Sequence, residues 1–71
     1  IISIDKPGQI GKIGQILCNY NANILSIGIE HTENKLIAIN MAVALESSDF
    51  TLEIVNSLEN LEGVVEVFQY N

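Results

Sequence analysis

The stretch Asp5-Lys6-Pro7-Gly8-Gln9-Ile10-Gly11 sets a carboxylate, a proline and two glycines just ahead of isoleucines recurring at helical spacing. A helix starting there presents unpaired N–H groups and a partial positive charge, which can hold an anion such as a carboxylate. Gly8 and Gly11 let a ligand or a neighbouring chain come close to the backbone. Asp5 beside them is an acceptor for an ammonium group. A carboxylate receptor next to an ammonium receptor is the chemistry of an α-amino-acid site. The same residues also serve a helix that needs only its own turn and a stabilising acid, and spacing leaves both readings open. A phosphate loop is excluded, because the glycines lack the Gly-Lys-Ser/Thr ending of a Walker A sequence.

The other reactive side chains point away from catalysis. His31 and Cys18 are the only histidine and cysteine. A nucleophilic pair needs the two within hydrogen-bond reach, which nothing in their spacing suggests. One of each cannot supply the four ligands of a structural zinc site. The nine acidic residues are scattered, as on solvated faces. We therefore expect a non-catalytic module with no cofactor and no metal.

The charge balance narrows the partners. Lys6, Lys12 and Lys35 are the only cations against nine acids, for a net charge of -6. Nucleic acid binding needs cations that displace phosphate counterions, so it is not expected. Bidentate arginine clamps are absent with arginine itself. No apolar run approaches the roughly 20 residues of a membrane span, so no membrane partner is expected. One cysteine makes no internal disulfide, which fits a reducing, cytoplasmic setting. No basic-then-apolar signal opens the chain. It starts directly in the strand-like Ile1–Ile4, and we expect one domain over residues 1–71, excised from a longer polypeptide.

The elements that must position these residues follow from periodicity. Ile1–Ile4 is a β-branched strand broken by Asp5-Lys6-Pro7-Gly8. Pro7 suits the first helical position. Ile10, Ile13, Ile16, Leu17 and Tyr20 then share a helix face, while Gly11, Gly14 and Cys18 form a strip of small residues on another. Asn19–Asn23 suits a helix end. Leu25, Ile27 and Ile29 alternate with Ser26, Gly28 and Glu30, predicting a strand with one buried face. After a polar turn, Ile37, Ile39, Met41, Val43 and Leu45 alternate with small or polar residues, the clearest strand pattern in the chain. Ser47-Ser48-Asp49 offers caps for a helix carrying Phe50, Ile54, Val55, Leu58 and Leu61, with Gly63 at its C′ position. Val64–Tyr70 reads as the last strand.

The order strand, helix, strand, strand, helix, strand predicts a ferredoxin-like α+β sandwich, βαββαβ, with a four-stranded antiparallel sheet and both helices on one face. Within that architecture the first loop carries no cysteine pair for a metal chaperone and no arginine for an acylphosphatase-like enzyme. Nor do the central strands carry aromatics for an RNA-recognition sheet.

With Asp5-Lys6-Pro7-Gly8, the helix isoleucines, Asn23-Ile24 and Gly63-Val64-Val65, the chain resembles the ACT domain, a small amino-acid-sensing module. The resemblance covers essentially the whole sequence. It is closest in flavour to the domains attached to phosphoglycerate dehydrogenase and to the iron–sulfur L-serine dehydratase, which makes serine a candidate effector. The serine-binding dehydrogenase type carries His and Asn where this chain has Ser3 and Asp5, so only Asn23 carries over. The resemblance implies allosteric regulation of an enzyme of amino-acid metabolism, with the effector bound where two chains pair side by side. Asp5, Gly8, Gln9, Ile10 and Gly11 would form one wall and Asn23, Ile24 and Leu25 the other, from the same or the partner chain. An alarmone synthetase is another host that the family implies.

The topology adds its own argument for pairing. The Leu25–Glu30 strand lies at a sheet edge with Ile24, Ser26, Gly28 and Glu30 outward, and an unprotected edge recruits another strand. A homodimer through this edge and the first helix is therefore expected. Two other readings stand beside the effector module: a dimerisation element that binds no ligand, and a small free-standing enzyme dependent on His31 or Cys18.

Overall fold

The computed structural model describes residues 1–70. Strand β1 spans Ile2–Ile4, helix α1 Gln9–Asn19, β2 Asn23–His31, β3 Leu36–Ala44, α2 Thr51–Glu59 and β4 Val64–Glu66, with short 3-10 turns ahead of β3 and α2. The four strands form one sheet in the order β2-β3-β1-β4, with every neighbouring pair antiparallel. This is the ferredoxin-like α+β arrangement that the periodicity predicts.

Strand β3 organises the core. Its buried Ile37 and Ile39 meet Ile13 and Leu17 of α1 and Ile54 and Leu58 of α2. Met41, Val43 and Leu45 continue the same stripe, half-buried against that cluster. The intervening Ala38, Asn40, Ala42 and Ala44 occupy the opposite face, as the alternation requires. Across the helix pair, the rings of Tyr20 and Phe50 lie 5.9 Å apart.

Turn chemistry sets the helix ends. Gly8 has φ 84° and ψ −7°, and Gln9 N–H donates to the Lys6 carbonyl at 3.2 Å. That is a type II turn with Pro7 and Gly8 at its centre, where only glycine is comfortable in the third position. Pro7 thus precedes the helix instead of opening it, because the turn consumes it first. At the far end Asn21 adopts φ 56°. Its N–H and that of Ala22 donate to the carbonyls of Cys18 and Leu17 at 3.0 Å each, a Schellman closure of α1.

Three expectations about local structure need correcting. Gly63, at φ 93°, lies beyond the cap residue Asn60 and is the third residue of a turn closed by Val64 N–H on the Leu61 carbonyl, 3.1 Å. It is a turn glycine and not the C′ residue of α2. Strand β4 stops at Glu66 rather than reaching Tyr70, because β1 offers it only Ile2 and Ser3 as partners.

The third correction concerns β2, which has no buried face: Leu25 is 64% exposed, Ile27 47% and Ile29 43%. Its ladder to β3 pairs Ile24 with Val43 and Ser26 with Ala42, leaving Leu25 as the extra residue of a bulge. Paired residues share a face. The bulge therefore puts Ile24, with Ile27 and Ile29, on the helix side, and not outward with Ser26, Gly28 and Glu30. The strand spans nine residues, but no helix of the chain covers it.

An added Cβ at Gly63 would lie 2.7 Å from Cγ1 of Ile4 and 3.0 Å from the amide nitrogen of Gln9. Strained backbone and crowding act together at this position. Gly63→Ala is expected to destabilise the fold by about 2 kcal/mol or more, read as a lowered midpoint in urea unfolding.

Candidate functional site

The first loop meets the end of β2. Ile4 pairs with Leu36 and His31 with Ile37, so Asp5 and His31 emerge at the same end of the sheet. Asp5 N–H donates to the Lys35 carbonyl at 3.0 Å, which fixes its backbone against the hairpin loop. Its side chain lies 3.4 Å from His31, Oδ2 to Nδ1. Both side chains are well exposed, so the contact leaves the carboxylate within reach of a ligand. Lys6, Lys12 and Lys35, all the chain's cations, lie in this loop, the first turns of α1 and the hairpin loop. This end thus concentrates what positive charge an acidic chain has.

The helix start is open. Gly8 is the cap residue and supplies no side chain, and the first bond into the helix is Lys12 N–H to the Gly8 carbonyl at 3.0 Å. Geometry leaves the N–H groups of Ile10 and Gly11 outside the intrahelical ladder. Both residues are exposed, and an added Cβ at Gly8 or Gly11 would meet nothing within 4 Å. Unpaired donors and the helix dipole are therefore accessible at this start, and the exposed Asp5 carboxylate lies on the loop that precedes it.

Gln9 braces this loop from within the single chain. Its side chain is 0% exposed. Nε2 donates to the Glu62 carbonyl at 3.0 Å, while Oε1 is buried with no protein partner. Ser3, also 0% exposed, donates to the Gly63 carbonyl at 3.2 Å, and Ile4 N–H donates to the same oxygen at 2.9 Å. The loop, the helix start and the α2–β4 turn are thereby joined. The signal was present in spacing, since Gln9, Ile13 and Leu17 follow at intervals of four along the buried stripe.

The residues expected as a second wall lie at the other end of β2. Asn23 pairs with Ala44 at the opposite end of β2 from His31. Eight residue steps separate the ends of the strand, on the order of 26 Å. Asn23, Ile24 and Leu25 therefore do not meet Asp5 and Gly8 within one chain. The contact of His31 with Asp5 was not foreseen from sequence, because His31 reads as a polar turn residue. Counting the hairpin register back from the turn would have set it opposite Ile37, beside the end of β1.

Cys18 is exposed on the strip with Gly11 and Gly14, so that strip does not pack on its own sheet. Among the described residues no cluster of three or more His, Cys, Asp or Glu side chains is arranged for a metal ion, and no helix is long and apolar enough to cross a membrane.

The fold is a ferredoxin-like α+β sandwich, which by itself hosts many functions. The ACT domain family model matches residues 1–68, and the chain belongs to that family. ACT domains are non-catalytic regulatory modules that bind amino-acid effectors and dimerise. No curated protein and no solved structure gave a significant match.

Gln9 and Asp5 should separate scaffold from site. Gln9→Ala leaves the Glu62 carbonyl without its buried donor and is expected to cost about 1–3 kcal/mol of stability. Asp5→Ala removes an exposed contact and should cost less than about 1 kcal/mol. Parallel thermal and urea melts check the ordering.

Proposed function

We propose that this domain senses a small amino acid at an interface between two of its copies and thereby modulates an attached enzyme. The observation that supports the reading is an open helix start at Ile10 and Gly11 together with an exposed Asp5 carboxylate on the loop that leads into it. The donors suit a ligand's carboxylate and the acid suits its ammonium. Gly8 leaves the approach open, and His31 adds a polar side chain at the rim.

The second wall comes from a second copy. Antiparallel pairing of β2 with its counterpart, centred on Ile27, would set Asn23, Ile24 and Leu25 of one copy beside His31 and the Asp5–Gly8 turn of the other. It would also give Ile24, Ile27 and Ile29 a cover that the single chain lacks. The strip of exposed Gly11 and Cys18 with half-buried Gly14 lets the first helices approach. A ligand bound across such a seam favours whichever arrangement of subunits completes its site, and it shifts the equilibrium only by that difference in affinity. Serine is the first effector to test, on the strength of the resemblance. An enzyme of amino-acid metabolism is the favoured host, with an alarmone synthetase as the alternative, and the setting is cytoplasmic.

Isothermal titration against the proteinogenic amino acids is expected to find one small polar ligand, with Asp5→Ala and Asn23→Ala each weakening it about tenfold or more, roughly 1.4 kcal/mol. Unchanged affinity in both variants would mean that the pocket is elsewhere. No heat with any amino acid would leave the dimerisation element, which the exposed β2 edge supports independently. Sedimentation tests that edge directly: the wild type should be a dimer and Ile27→Glu a monomer. A monomeric wild type at tens of micromolar would overturn the proposed pairing.

A further inference from the structure

His31 is the only histidine of the chain, and Asp5 is its only acid ahead of Glu30. The sheet brings the two together from opposite sides of β3. On one side Asp5 N–H donates to the Lys35 carbonyl at 3.0 Å. On the other, the Thr32 N–H and hydroxyl donate to the Leu36 carbonyl at 2.9 and 3.0 Å. Two successive carbonyls at the start of β3 thus hold both backbones, and the side chains meet with Nδ1 of His31 3.4 Å from Oδ2 of Asp5. The other charged groups at this end are Glu30 on the open face of β2, Glu33 and Lys35 in the hairpin loop, Lys6 in the first loop and Lys12 on α1; β3 carries none. Among the described residues, Asp5 is the acid within ion-pair distance of the imidazole.

Taking Asp5 as the ammonium receptor of the reading above, we propose that His31 is the internal competitor of the effector's ammonium group, so that the site loses affinity as the imidazole takes up a proton. Imidazole is the side chain whose ordinary charge change falls between about pH 5 and 8. Protonated, the ring is a cation held against Asp5. An incoming ammonium group must displace it and also approach a like charge. Neutral, the ring leaves the charge of the carboxylate to the ligand. Affinity for an amino acid therefore rises with pH across this range. By linkage, binding within the range expels a proton from the ring.

The fold does not need this contact for itself. Each backbone is already fixed by its own bonds to the start of β3, and an ion pair between side chains 77% and 48% exposed adds little to stability. The same exposure lets a ligand displace the ring at small cost, and water screening limits the competition to about two- to fivefold in affinity. Protonating Asp5 itself would weaken an ammonium ligand in the same sense. His31→Gln keeps the acid and a polar side chain while removing the titrating ring, so it separates the two effects.

Isothermal titration with each proteinogenic amino acid, L-serine first, at about pH 5.5 and about pH 8 tests this. Repeating it in buffers of different ionisation enthalpy counts the protons released. The wild type is expected to bind its ligand about two- to fivefold more weakly at the acid end, and to release protons on binding. His31→Gln should bind with nearly the same affinity at both ends and release none. Equal affinity of the wild type at both ends, or a pH dependence kept in full by His31→Gln, would overturn the role of His31 and leave the amino-acid site standing. Absence of binding by both proteins at both ends would overturn the site and this role together.

Discussion

The constraint that governs this domain is that β3 has one face to bury and both helices lie on it. Ile37 and Ile39 fill that face, with α1 and α2 packed above them. Burial of side chains of this size is worth on the order of 1.5–3 kcal/mol each. Everything else is hung from this strand. β1 pairs on one side and β2 on the other, so where the helices do not reach, a strand held by β3 is exposed. β2 is the element left in that position, hydrogen-bonded along its length yet uncovered.

That imbalance connects packing to regulation. Ile24, Ile27 and Ile29 are apolar side chains displayed on an edge strand, an arrangement that proteins resolve by pairing. The pairing we propose would also unite the two halves of the amino-acid site, which the single chain keeps at opposite ends of β2. Binding and association then become linked: a ligand across the seam stabilises the paired state, and the paired state creates the ligand's second wall. A chain of net charge -6 has electrostatic reason to stay apart from its copy. At physiological salt that repulsion is screened beyond about 8 Å, so apolar contact at the strand edge can prevail.

The scaffold around the open helix start is stiffened from within. The turns at Gly8 and Gly63 bracket the buried amide of Gln9, which joins α1 to the Glu62 carbonyl. The loop that we propose faces the ligand is thus tied to the segment leading into β4. This tie offers a physical route from an effector to the far edge of the sheet, because a displaced helix start would strain a bond that has no solvent substitute.

Periodicity by itself determined the element order, the ferredoxin-like fold, the core stripe of β3 and the helical register of Ile13 and Leu17. Turn residues located the loops, because Gly, Pro and Asn act through local backbone sterics and the Ser47-Ser48-Asp49 run through side-chain capping. Sequence also identified Asp5 beside a helix start. It did not show which side Gln9 takes, that His31 reaches Asp5, that a bulge at Leu25 turns Ile24 to the helix side, or that β4 ends at Glu66. Each of these depends on which strand lies beside which and in what register. Such relations join residues far apart in the chain, whose pairing is settled only when the whole sheet forms. The same is true of the separation between Asn23 and Asp5: adjacency in a motif says nothing of distance along a strand, and the sheet decided it.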